Sequence, residues 1–132
     1  MKIFLSYKFT GEDQESLKEN LSKISSSLEK AGHKCFYSFF RENFFREKNF
    51  TNKQILEYAL KELDISDVIL AFIKSEDRSE GMLLEIGYAI AKKKKFILAI
   101  KKGVKTTFLR EMANRRIEFE NIEDLCSKLS KL

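Results

Sequence analysis

Apolar positions along this chain follow two rhythms that take turns. Lys2–Tyr7 (KIFLSY), residues 67–73 (DVILAFI) and residues 95–100 (KFILAI) are short and apolar almost throughout, the pattern of strands buried on both faces of a parallel sheet. Further strands are expected at residues 34–40 (KCFYSFF) and 116–120 (RIEFE). Between these runs the spacing becomes helical. Leu17, Leu21, Ile24 and Leu28 mark one amphipathic face, capped by Thr10 or Asp13 and stopped by the glycine of AGH. Ile55, Leu56, Ala59, Leu60 and Leu63 mark the next, capped by Thr51. A third helix runs through GMLLEIGYAIA, a short segment lies around TTFLREMA, and IEDLCSKLSKL ends the pattern. Residues 41–50 (RENFFREKNF) read as an irregular connection rich in phenylalanine.

Strands alternating with helices predict an α/β fold with a parallel sheet covered on both faces. Five strands suit a flavodoxin-like (Rossmann-like) doubly wound sheet of order 2-1-3-4-5, in one domain spanning residues 1–132. Such sheets bind ligands beyond the carboxyl ends of their strands, where strands 1 and 3 diverge to opposite sides. That rule gathers Ser6 to Gly11, Lys74 to Gly81, the first half of the third helix and Gly103 to Thr107 around one cleft.

At that cleft the third helix raises a question. From Gly81 to Ala91 only Glu85 is charged, among neighbours that are mostly apolar. A carboxylate near a helix amino end is stabilised by the macrodipole by roughly 0.3–1 kcal/mol, which accounts for it without any function. A solvated face, however, would carry more polar residues at Met82, Ile86 and Ala89. Glu85 is therefore a candidate catalytic carboxylate. Ser79 and Gly81 at the helix start serve equally as cap and turn or as an anion site built from free N–H groups. With Lys8, Thr10 and Gly11 on the facing loop they would form a phosphate cradle. The aromatic run from Phe36 has three readings: core, wall of a base pocket (Phe39 and Phe40 with Tyr7), or contact between copies. Lys92–Lys95 suit the carboxyl end of their helix, and His33 suits a turn.

Composition narrows the field. No apolar run approaches the ~20 residues that span a bilayer, and MKIFLSYKF reads as a strand rather than a leader, so a cytoplasmic protein with no membrane partner is expected. The two cysteines and single histidine lack metal-ligand spacing, so neither metal nor cofactor is expected. The net charge of +5 suits an anionic ligand, but no nucleic-acid-binding motif accompanies it. There is no GxxxxGK[ST], GxGxxG or GxSxG, and strands 1 and 3 end without the aspartates of a phospho-acceptor receiver.

The stretch DVILAFIKSEDRSEGMLLEIGYAIAKKKKFILAI resembles the nucleoside 2-deoxyribosyltransferases and the related 2′-deoxynucleoside 5′-monophosphate N-glycosidases. Asp67, Ser79, Gly81, Glu85, Gly87, Ala89 and Ala91 match their pattern in place. The resemblance implies that Glu85 attacks or stabilises the sugar C1′ as the N-glycosidic bond breaks. It implies that Ser79, where the transferases carry an aspartate, accepts a 5′-phosphate. Ser6, Tyr7, Lys8, Thr10, Gly11, Phe39, Phe40, Ser79, Gly81 and Met82 would then bind substrate, and neighbouring subunits of a homodimer or larger homo-oligomer would complete the site. Ala59 stands where the hydrolases carry an aspartate.

The amino-terminal half resembles a second group. IFLSYKFTGED, a long helix and AGHKCFY look like the start of a TIR domain, and SEGMLLE keeps that family's serine-to-glutamate spacing with Gly81 in place of tryptophan. This implies either cleavage of NAD at its nicotinamide bond or a non-enzymatic assembly module. A sensor that binds a nucleotide without cleaving it is a third possibility.

Overall fold

The computed structural model describes residues 1–77, 79–105 and 108–132. Its strands β1 (Lys2–Tyr7), β2 (Lys34–Phe36), β3 (Val68–Ile73), β4 (Lys95–Lys101) and β5 (Arg115–Phe119) form one sheet of order β2-β1-β3-β4-β5. All four pairings are parallel, so this is the flavodoxin-like arrangement the alternation predicts. Helices α1 (Gln14–Lys30) and α6 (Ile122–Leu129) cover one face. Helices α3 (Asn52–Asp64), α4 (Glu80–Ala91) and the short α5 (Phe108–Met112) cover the other.

Pleating divides the strand residues between two cores. Ile3, Leu5 and Tyr7 of β1 join Leu17, Leu21, Ile24 and Leu28 of α1, while Phe4 joins the α3 and α4 side. β3 is buried along its whole length, as its unbroken apolar sequence requires. Capping follows local chemistry. Asp13, not Thr10, caps α1 by accepting the Ser16 N–H at 3.3 Å. Thr51 and Gln54 exchange hydrogen bonds in a full capping box at α3. At the amino edge of the sheet, the Asp67 carboxylate accepts the Lys2 N–H at 2.8 Å and the Asp67 N–H reaches the Lys2 carbonyl at 2.8 Å, which fixes β1 against β3.

The largest departure from expectation is the second strand. It stops at Phe36, and residues Ser38–Arg41 form a 3-10 turn leading into helix α2 (Glu42–Glu47) where an irregular connection was expected. The aromatic side chains explain the turn. Phe44, Phe45 and Phe50 pack on one another and on Tyr58 of α3, with ring centroids 5.3–6.2 Å apart, and continued extension would have left them in water. The remaining strands and helices lie within a few residues of their expected bounds. Gly81 falls inside the first turn of α4 rather than before it. Among the described residues no helix is long and apolar enough to cross a membrane.

Truncating the central strand tests this architecture. Leu70→Ala, at a fully buried position, is expected to cost about 2–5 kcal/mol in urea unfolding, whereas Ile65→Ala, 62% exposed, costs under about 0.5 kcal/mol.

Candidate active site

Pairing of β1 with β3 sets Tyr7 beside Phe72 and sends Lys8 and Lys74 out of the same end of the sheet. Both ammonium groups turn onto one carboxylate. Glu12 lies 3.0 Å from Lys74 Nζ and 3.9 Å from Lys8 Nζ, and all three side chains are largely withdrawn from water. Gly11 forms the turn between Lys8 and Glu12, where its backbone rather than the space around it favours glycine. Its φ is +79°, a conformation costly for any residue with a Cβ, and a Cβ there would meet Lys8 Nζ at 3.6 Å. Lys8, Glu12 and Lys74 line a narrow cleft, open to solvent, together with Tyr7, Phe72, Ser75, Asp77 and Met82.

Glu85 stands one helical turn beyond Met82, on α4 where it packs against β1 and β3. Ser6 donates its hydroxyl proton to Glu85 Oε1 at 2.6 Å. Burial raises the carboxyl from its ordinary 4.5 to about 7, and the Ser6 hydrogen bond opposes only part of that shift. The mostly apolar neighbours seen in the sequence divide by exposure. Met82, Ile86 and Ala89 are buried, but Leu83 and Leu84 on the outer side of α4 are 44% and 56% exposed. Glu85 is thus shielded by the sheet beneath it, while the helix shows an apolar face to solvent.

The other expected site residues divide. Tyr7 and Met82 line the cleft, and the Tyr7 hydroxyl sits 3.1 Å from Ser38 Oγ. Burial holds the Tyr7 phenol neutral far above neutral pH, with the charge of Glu85 acting in the same direction. Ser79 caps α4, accepting the Met82 N–H at 3.1 Å. Ser6 is 1% exposed and faces Glu85 rather than the cleft. Thr10, Gly11 and Gly81 are exposed. Phe39 packs on Phe9 and Phe40 on Tyr37, and neither lines the cleft. Gly103–Lys105 also stay out of its wall, although the Lys105 N–H reaches Glu76 Oε1 at 3.4 Å. Thr107, assigned to this cleft from sequence, and Arg78 in the Lys74–Gly81 loop lie outside the described residues. Lys74 was placed at the cleft from sequence only as the first residue of its loop, directly after an apolar strand, and Glu12 was not singled out.

The family model for nucleoside 2-deoxyribosyltransferase matches residues 6–123. A Clostridium botulinum CMP N-glycosidase has a similar solved structure, with a TM-score of 0.71 at 21% identity, covering 98% of this chain and 97% of that one. A 2-deoxyribosyltransferase from Bacillus psychrosaccharolyticus is similar at a TM-score of 0.70 and 24% identity, covering 98% and 96%. The SEFIR domain of IL-17 receptor B shares the fold at a TM-score of 0.61 and 6% identity, covering 99% and 95%. No curated protein sequence matches the chain.

Burial of Glu85 should be visible in stability alone. Between its unfolded pKa near 4.5 and its folded pKa near 7 the folded chain retains the proton, so stability falls as pH rises through that window. Glu85→Gln removes the effect. In urea titrations the variant is expected to gain about 3 kcal/mol on the wild type between about pH 4 and pH 8.

Proposed function

The chain belongs to the nucleoside 2-deoxyribosyltransferase family, and on that footing we propose that it cleaves or transfers the N-glycosidic bond of a nucleotide, with Glu85 acting at C1′. The observation that carries this reading is a partly buried carboxyl beside the switch point of the sheet, one helical turn from a cleft with two lysines. In the ionised form a Glu85 oxygen bonds to C1′ as the C1′–N bond breaks, and the base departs with the bonding pair and takes up a proton. Water or a second base then attacks C1′ and releases the carboxylate. A charge-deficient C1′ is best matched by a carboxylate held in low dielectric, where its field is least screened.

Two features favour a nucleotide over a nucleoside. Ser79 rather than a carboxylate caps α4, so the capping group itself brings no negative charge to the helix N–H groups, and the first-turn Glu80 is exposed to water. Lys8 and Lys74 stand at the adjoining cleft and would exchange Glu12 for a 5′-phosphate. The Clostridium protein of similar fold is named for a nucleotide, CMP, which agrees with this choice.

A panel of nucleoside 5′-monophosphates, nucleosides and NAD, with released base measured by chromatography, tests the reading. Base is expected from the monophosphates. Glu85→Gln lowers the rate at least about a thousandfold, and Lys74→Met raises KM for monophosphates about tenfold. Because the ionised carboxyl is the reacting form, kcat/KM rises with pH through about 7. Glu85→Gln turning over like wild type sinks the mechanism. Tight binding with no release would make the protein a sensor, and release from NAD alone would favour the TIR-like activity.

The proposed active form is a homodimer whose copies meet through the outer face of α4. Leu83 and Leu84 flank Glu85 on that helix and leave apolar surface in water. In sedimentation the wild type is expected at twice the monomer mass and Leu84→Glu at the monomer mass.

A further inference from the structure

Four polar residues are buried among the described ones: Ser6, Ser25, Ser27 and Ser66. Three of them bond within their own helical segment. Ser27 reaches the Lys23 carbonyl, Ser66 the Glu62 carbonyl, and Ser25 the Glu29 carboxylate, each four residues away. Such bonds satisfy a hydroxyl locally and need no special design. Ser6 differs. It lies in a strand, pairs in register with the small Ala71 of β3, and spends its hydroxyl on Glu85, 79 residues further along.

That bond treats the two carboxylate oxygens unequally. Oε1 takes the Ser6 proton at 2.6 Å. Oε2 accepts no hydrogen bond among the described residues, yet it is not sealed from solvent, since the one buried unpartnered side-chain atom among them is Nε2 of His33. One oxygen is held by the sheet and the other is left open. That bond restricts a side chain with three rotatable bonds and anchors it to the central part of the fold.

We propose that Ser6 is the positioning residue of Glu85: through Oε1 it fixes the carboxylate so that Oε2 is the oxygen offered to the anomeric carbon. This rests on the reading of Glu85 given above and reassigns Ser6 from substrate contact to support of the reacting group. Other groups around α4 do not take this role. β3 has no titratable side chain, and β4 has only Lys95 and Lys101 at its exposed ends. On α3, Asp64 bonds the Tyr88 hydroxyl, Glu62 pairs with Lys2, and Lys53, Glu57 and Lys61 are exposed. On β1, the neutral Tyr7 hydroxyl is taken by Ser38. On α4 itself Glu80 is exposed in the first turn.

The test separates positioning from simple stabilisation by following the carboxyl of Glu85. Carbon-13 NMR titration of Glu85 is recorded in wild type, Ser6→Ala and Ser6→Thr, alongside pH profiles of kcat/KM on a nucleoside 5′-monophosphate. A donor to the carboxylate favours the ionised form, so its loss moves the Glu85 titration upward by about one pH unit. The acid limb of kcat/KM moves with it, giving about a tenfold loss near pH 6 beyond any change at pH 9. Ser6→Thr, which keeps the hydroxyl, restores the wild-type titration. An unchanged Glu85 titration in a folded Ser6→Ala protein overturns the proposal, whether or not the wild type turns over. Absence of base release from every substrate, with the NMR shift present, overturns the glycosidase reading but leaves the Ser6–Glu85 anchor standing.

Discussion

The site depends on β1 lying directly beside β3. That adjacency skips the intervening β2 to the far side, so the chain leaves β1 and β3 toward opposite faces and opens a gap between them. The two hydrogen bonds between Lys2 and Asp67, one to the Asp67 carboxylate and one between backbones, set the register at one end of the pair. At the other end the same register presents Tyr7, Lys8 and Lys74 around the gap and turns Ser6 toward α4. A slip of one residue would exchange the two faces of β1, placing Tyr7 where Ser6 meets Glu85.

Against this rigid frame, Glu85 is a local cost that the apolar strands offset. A carboxyl kept at about 7 by burial disfavours its own charged form, and a surface glutamate would carry no such penalty. Under the proposed chemistry, stability and reactivity pull in opposite directions at this residue. The Ser6 bond moderates the conflict without removing it: it returns part of the stabilisation lost with water and withholds the rest from Oε2. The ion-paired group Lys8–Glu12–Lys74 handles the neighbouring charge differently, keeping two cations close together around an internal carboxylate.

Sequence pattern carried the sheet because each strand is defined by its own composition. VILAFI and FILAI have no polar alternation to misread, and the resulting order follows from chain connectivity. It also pointed to Glu85, since one charge in an apolar helix is visible in a single line of residues. It failed where a fate is decided by distant partners. Whether Phe39 and Phe40 extend a strand or close a turn depends on Phe9, Tyr37 and the Ser38–Tyr7 bond. Glu12 gains its place from two lysines, one of them 62 residues on, which no local window contains. The Ser6–Glu85 bond was hidden for the same reason, because a serine in a strand looks alike whether it faces a ligand, water or a carboxylate.

The aromatic group on α2 and α3 has a wider consequence. Phe44, Phe45, Phe50 and Tyr58 satisfy one another within a short span of chain, and Phe36 links that group to Phe4 of the sheet. Residues 38–50 thus rest on Phe9, Tyr37 and Tyr58 of α3, through ring contacts that do not run through β3, β4 or β5. A volume change among these rings is therefore felt first by α2 and α3, and it reaches the cleft only through the Ser38–Tyr7 bond, leaving the Ser6–Glu85 pair on the sheet untouched.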